Sequence, residues 1–189
     1  MRAGSNVDKK VAILGFSFGL SNNEPNKSNR ALVWKFLDAV EYVEFNDSVP
    51  FTALQWEMNK GILDLIGESA DCVAELREDG VYLDSKLVWA AFKKAIETEG
   101  GIKQVIIIAQ PFLHMRSLKS MIRKDDFEII EFEMGEIPFY DSLKNTQPWT
   151  RSKPALALYA MKSLSKSVIS GFRGKLGLQP SSHRMQSDT

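Results

Sequence analysis

Short apolar runs alternate along the chain with longer stretches in which apolar residues recur every three or four positions, and the two periods predict different elements. KVAILGF (10–16) has the continuous apolar character of a strand buried on both faces of a sheet, and KQVIIIAQ (103–110), with its five-residue apolar run VIIIA, is the strongest strand signal in the chain. SVPFTALQ reads as another strand, in which Pro50 marks either a sheet edge or the strand's start, and FEIIEFEM (127–134) as a later one. Between them, RALVWKFLDAVEYV places Val33, Phe36, Leu37 and Val40 on one helical face, and MNKGILDLIGES reads as a helix despite Gly61. From Ser85 to Thr98 the pairs Leu87/Val88, Ala91/Phe92 and Ala95/Ile96 repeat at helical spacing, with Asp84 as N-cap and Gly100–Gly101 as the stop. A helix over 112–123 is opened by Pro111. A last helix over 154–172 turns Met161, Leu164, Val168 and Phe172 inward, with Pro154 in its first turn. The stretch 67–83 has no firm period; a short strand or turn is expected near DGVYL.

Strands alternating with helices of ten to fifteen residues predict βαβ units. The expected fold is α/β and Rossmann-like, a mostly parallel sheet with helices on both faces in a single domain over 10–172. Residues 1–9 and 173–189 are read as flexible ends, the latter because GKLGLQPSSHRMQSDT lacks periodicity. In such sheets ligands bind outside the carboxyl ends of the strands, so the residues just after each strand become the candidates.

After the first strand stands GFSFG, with Gly15 and Ser17: a loop able to admit a phosphate or carboxylate, or a tight turn that needs positive φ. It matches the string of a hydrolase elbow but not its strand–turn–helix context. Arg30 opens the following helix and can aim at the same space. After the second strand come Gln55, Trp56 and Glu57, where a carboxylate either complements the helix dipole or holds a ligand hydroxyl. Asp84 is first an N-cap and second a ligand contact. After the strongest strand comes QPFLHMR, in which Gln110 and Arg116 fall in the first turns of a helix that favours anions. Arg116 either clamps an anion there or pairs with Glu57 or Asp125. NTQPWTRSK adds Trp149 and Arg151 at the crevice mouth. His114 has no partner at metal-ligand spacing, so no metal site is expected, and Ser17, His114 and Asp84 form a triad only on paper.

The chain has 189 residues, 44% apolar and 25% charged, with 24 basic and 24 acidic side chains. A balanced charge of that kind provides no general attraction to nucleic acid or anionic membrane, and neither partner is expected. The lone Cys72 excludes an internal disulfide and reads as a buried, inert thiol among acidic neighbours. With no secretory h-region and no spanning apolar run, a cytoplasmic protein is expected.

VAILGFSFG with Arg30 after it, QWE at 55–57, YLDSKLVWAAF, VIIIAQPFLHMRSL and QPWTRSK occur in an order that resembles the YdcF-like branch of the SanA/ElyC/YdcF family, over roughly residues 10–165. The resemblance implies a Rossmann-like domain that binds a small anionic or nucleotide-like molecule at the carboxyl edge of its sheet, with reaction and cofactor undefined. The family's Ser-Gly-Gly turn after the second strand is missing, and LDSK stands where Thr-x-x-Asn is common. Those departures favour the alternative, a non-catalytic interaction protein on the same fold with a degenerate site.

Overall fold

A computed structural model describes residues 11–19, 26–75, 83–142, 145 and 147–161. Five strands form one sheet: β1 (Val11–Gly15), β2 (Phe51–Gln55), β3 (Cys72–Ala74), β4 (Gln104–Ile108) and β5 (Glu128–Ile130). All neighbours are parallel, in the order β3-β2-β1-β4-β5. Four helices connect them: α1 (Lys27–Phe45), α2 (Trp56–Ile66), α3 (Ser85–Glu99) and α4 (His114–Ile122). Parallel crossovers are right-handed. The chain moves one way from β1 to β3 and the other way from β3 to β5, so α1 and α2 cover one face and α3 and α4 the other. The fold is α/β and Rossmann-like, as the periodicity predicts.

The continuous apolar runs occupy the middle of the sheet. Ala12, Ile13 and Leu14 of β1, and Val105, Ile106 and Ile108 of β4, are wholly shielded from solvent. Each helix contributes its inner stripe: Leu32, Val33 and Phe36 from α1, Met58 and Ile62 from α2, Val88, Phe92 and Ile96 from α3, Leu118 and Ile122 from α4. Asp84 caps α3 by accepting from the backbone N–H groups of Lys86 and Leu87, and Gly100 ends it at φ +79°.

Several elements differ from their predicted bounds. The third strand is Cys72–Ala74, upstream of DGVYL, most of which lies outside the described residues. α1 begins at Lys27, not Arg30, because the Asn26 side chain accepts from Asn29 N–H and caps it there. β5 stops at Ile130 rather than Met134.

Pro111 does not open α4. The chain first makes a turn in which His114 N–H donates to the Phe112 carbonyl at 2.5 Å, with Leu113 at φ 54°, ψ −42°. That is the rare, strained form of the γ-turn, and it delays the helix to His114. The last helix is described over 153–161; there Leu156 is buried, whereas Met161, expected to face inward, is 60% exposed. Leu164, Val168, Phe172 and the two ends lie outside the described residues.

Candidate functional site

The carboxyl edge of the sheet carries most of the buried polar side chains: Ser17, Gln55, Glu57 and Gln110 at or just after the strand ends, with Asn26 and Asn29 at the start of α1 and Asn145, Gln147 and Thr150 from the segment before the last helix. Ser17 follows β1, whose register puts Gly15 beside Leu54 of β2, so the loop residue lies next to the start of α2. Gln55 Oε1 accepts from Ser17 N–H at 3.1 Å, and Ser17 Oγ donates to Glu57 Oε2 at 3.0 Å. Ser17 is thus held between two side chains of the β2–α2 junction. The sequence predicts one pocket lined by Gly15, Ser17, Gln110 and Arg116 with Glu57 or Asp84 within reach; adjacency of β1 and β2 brings Ser17 to Glu57 and adds Gln55, while Arg116 lies in a separate groove.

Burial pushes the Glu57 carboxyl from its ordinary value of 4.5 up to about 7, against its own backbone hydrogen bond and the Ser17 and Gln55 side chains, which favour the carboxylate. The Gln55 amide lies close enough for that effect, yet its Nε2 and Glu57 Oε1 make no well-formed hydrogen bond with each other. Both are shielded from solvent and have no hydrogen-bond partner among the described residues. A carboxyl with this value exchanges its proton at neutral pH, as general acid–base chemistry requires.

Gly15 serves packing here. A Cβ on it would stand 2.3 Å from Leu54 Cδ2 and 2.9 Å from Met58 Cε, which lets β1 end tight against α2. The positive φ of this loop belongs to Gly19, at +79°, where a Cβ would stand 2.8 Å from Thr150 Oγ1. The loop is pinned from above: Phe18 N–H donates to Asn29 Oδ1 at 2.7 Å, and Asn26 Nδ2 donates to the Gly19 carbonyl at 2.8 Å. Asn145, fully buried, donates to the Tyr140 carbonyl and to Thr150 Oγ1 and accepts from Gln147 N–H.

Phe16 packs edge-on against Phe92 of α3, so the residue after it faces the α2 side. On the Phe16 side lies His114, whose ring centroid is 6.3 Å from that of Phe16 and 5.8 Å from that of Phe18. His114 Nε2 is 3.0 Å from Ser85 Oγ, while Nδ1 is buried with no partner among the described residues. Burial among these rings pushes its pKa from 6.5 down to about 4, so the imidazole is neutral at ordinary pH. The paper triad does not form: Ser17 bonds Glu57, His114 meets Ser85, and Asp84 caps α3.

The other candidates stand apart. Arg116 is exposed on the outer face of α4, in a shallow groove of about 520 Å³ with Pro111, Met115, Lys119, Ser120 and Arg123, away from Gly15 and Ser17. Asp125, considered as its ion-pair partner, instead holds Trp89 Nε1 and Lys93 Nζ, at 2.7 and 2.6 Å. Arg30 is exposed in a groove between α1 and α2. Gln110 turns back on its own loop and accepts from Phe112 N–H at 2.6 Å. Trp149 stacks on Tyr159 at 4.8 Å, and an Arg151 guanidinium nitrogen donates to the Asn145 carbonyl.

His114 is the residue that sequence reasoning undervalued. It turns inward and Arg116 outward because the γ-turn at Leu113 sets the phase of α4. Asn26 and Asn29 carried a readable signal, the Asn-x-x-Asn of a helix cap; Asn145 carried none. No group of three or more metal-ligating side chains exists among the described residues, and no described helix is long and apolar enough to cross a membrane. Comparison with protein-family models, curated proteins and solved structures finds no match to this chain.

Proposed function

We propose that the chain is a small-ligand-binding domain of the YdcF-like kind, with its site around Ser17, Gln55 and Glu57 at the carboxyl edge of the sheet. The observation that carries this reading is the pair Gln55 Nε2 and Glu57 Oε1, buried on side chains that jointly hold Ser17 and left without partners among the described residues. Leaving a buried donor or acceptor unmet costs roughly 1–3 kcal/mol, so such atoms call for an occupant that completes them.

The chemistry narrows the expected ligand. Arg30 and Arg116 each line a surface groove that includes none of Ser17, Gln55 and Glu57, and an anionic group set against Glu57 would meet like charge once the carboxyl ionises. A donor next to an acceptor suits a neutral edge that offers one of each, such as the amide-like edge of a nucleobase or a sugar hydroxyl. The nucleotide-like half of the expected ligand therefore has support here, recognised through base or sugar. The anionic half depends on groups elsewhere.

Thermal unfolding of the full chain with nucleosides, nucleotides and sugar phosphates tests this. A ligand at 100 times its dissociation constant stabilises the native state by about 2.7 kcal/mol and raises the midpoint accordingly. We expect a nucleoside-bearing compound to do so with the wild-type chain and with Arg116→Ala, and to lose the effect with Glu57→Leu. Failure of every compound to raise the midpoint overturns the reading. A shift that survives Glu57→Leu unchanged overturns the site.

A further inference from the structure

We propose that the outer face of α1 and α2 is the interface of a homodimer built on a two-fold axis. A groove of about 270 Å³ runs between these helices, lined by Arg30, Val33, Trp34, Gly61, Asp64 and Leu65. Its floor is the contact of Gly61 with Val33, where a Cβ on the glycine would stand 2.9 Å from Val33 Cγ2. The missing side chain lets the helices meet closely and leaves a trough. Above the floor the walls are apolar and open: Trp34 is 58% exposed and Leu65 45%. Phe45, eleven residues and three turns after Trp34, continues the same stripe of α1 and is 88% exposed. Tryptophan at such exposure is a costly surface residue and a common anchor at interfaces.

Charge identifies the occupant as a second copy. Arg30 on α1 and Asp64 on α2 flank the trough, and neither has an ion-pair partner among the described residues. Both helices return antiparallel to parallel strands, so they run in the same direction. With Val33 opposite Gly61, Arg30 lies one turn toward the start of α1 and Asp64 one turn toward the end of α2. The two charges thus stand at opposite ends of the trough. A two-fold axis in the interface plane, crossing the line between them at its midpoint, sets Arg30 of each copy against Asp64 of the other and apposes the apolar walls. Self-complementarity of this kind is what an isologous interface requires.

Sedimentation of the full chain from about 1 to about 200 µM is expected to show a monomer–dimer equilibrium. Arg30→Glu and Asp64→Arg should each weaken dimerisation roughly tenfold or more, by setting like charges together twice. Mixing the two variants should restore it, because both contacts in the mixed dimer then join opposite charges. Trp34→Glu should give a monomer whose circular dichroism matches the wild type. A wild-type chain that stays monomeric throughout, charge variants that dimerise as well as the wild type, or a mixture that stays monomeric would each overturn the proposal.

Discussion

Replacing Glu57 with glutamine should make the protein more stable, and only above a certain pH. The folded chain holds this carboxyl at about 7, whereas the freed side chain titrates at 4.5. Below 4.5 both states are protonated and burial of the group carries no charge. Between the two values the native state binds a proton that the unfolded state has lost, so stability falls as pH rises. Above 7 the native state holds a buried anion and the penalty is complete. Each pH unit in that window changes the unfolding free energy by up to about 1.4 kcal/mol, which gives a total of about 3 kcal/mol. Glutamine keeps an oxygen to accept from Ser17 Oγ and has no charge to bury.

The wild-type curve alone hides this effect. His114 moves in the opposite sense: its pKa falls from 6.5 to about 4 on folding, so its contribution to stability is present above 6.5 and lost as pH falls toward 4. The two windows overlap and their slopes oppose each other. The difference between wild type and Glu57→Gln cancels His114 and isolates the carboxyl. Urea unfolding from about pH 4.5 to about pH 8 should show the two chains nearly equal at the acid end and the variant ahead by about 3 kcal/mol at the alkaline end. A difference that stays flat over this range, or one that favours the wild type as pH rises, refutes the burial argument.

Three further changes probe the frame around this group. Gly15→Ala should destabilise by roughly 1–3 kcal/mol in urea unfolding, since the new methyl group would overlap the fully buried Leu54 and Met58. Asn145→Ala should cost about 1–3 kcal/mol, because it leaves the Tyr140 carbonyl and Gln147 N–H without their partner. Arg116→Ala should change stability by less than about 0.5 kcal/mol, as an exposed residue with no role in packing does; a loss of several times that size would place Arg116 in the structural frame.

What the sequence revealed follows from how local each signal is. Strand β1 and, after Gln104, strand β4 are continuously apolar because helices cover both faces of a parallel sheet, and α3 has its cap and its stop in the residues that flank it. β3 escaped because it is three residues at the sheet edge, with Cys72 and Val73 only half-buried and no room for a period to show. The inward side of α4 was legible only in part. The rule that residues two apart face different sides correctly separates His114 from Arg116, but which of them turns inward depends on the turn at Leu113. Leucine rarely adopts φ 54°, so nothing in its identity announces that turn. Ser17, Gln55 and Glu57 were each legible as strand-end residues; their union depends on strand order, which pairs β1 with β2 on one side and β4 on the other.

The costs in this fold are not spread evenly. The centre of the sheet is apolar and well packed, while its carboxyl edge holds an ionisable carboxyl, the unmet Gln55 and Glu57 atoms, and a strained turn before His114. A strained backbone residue persists only where its surroundings over-determine it, at a cost of order 1–3 kcal/mol. Here Phe112, just before the strained Leu113, packs edge-on against Phe139, which in turn meets Phe18 edge-on; His114, just after it, lies against Phe16 and Phe18, and asparagines fix the loop at Phe18 and Gly19. A chain selected for stability alone would gain by replacing the carboxyl at 57 with a neutral side chain, since Ser17 needs only an acceptor there. Rigid support around a destabilising group is the arrangement expected where geometry must be held ready for something to bind.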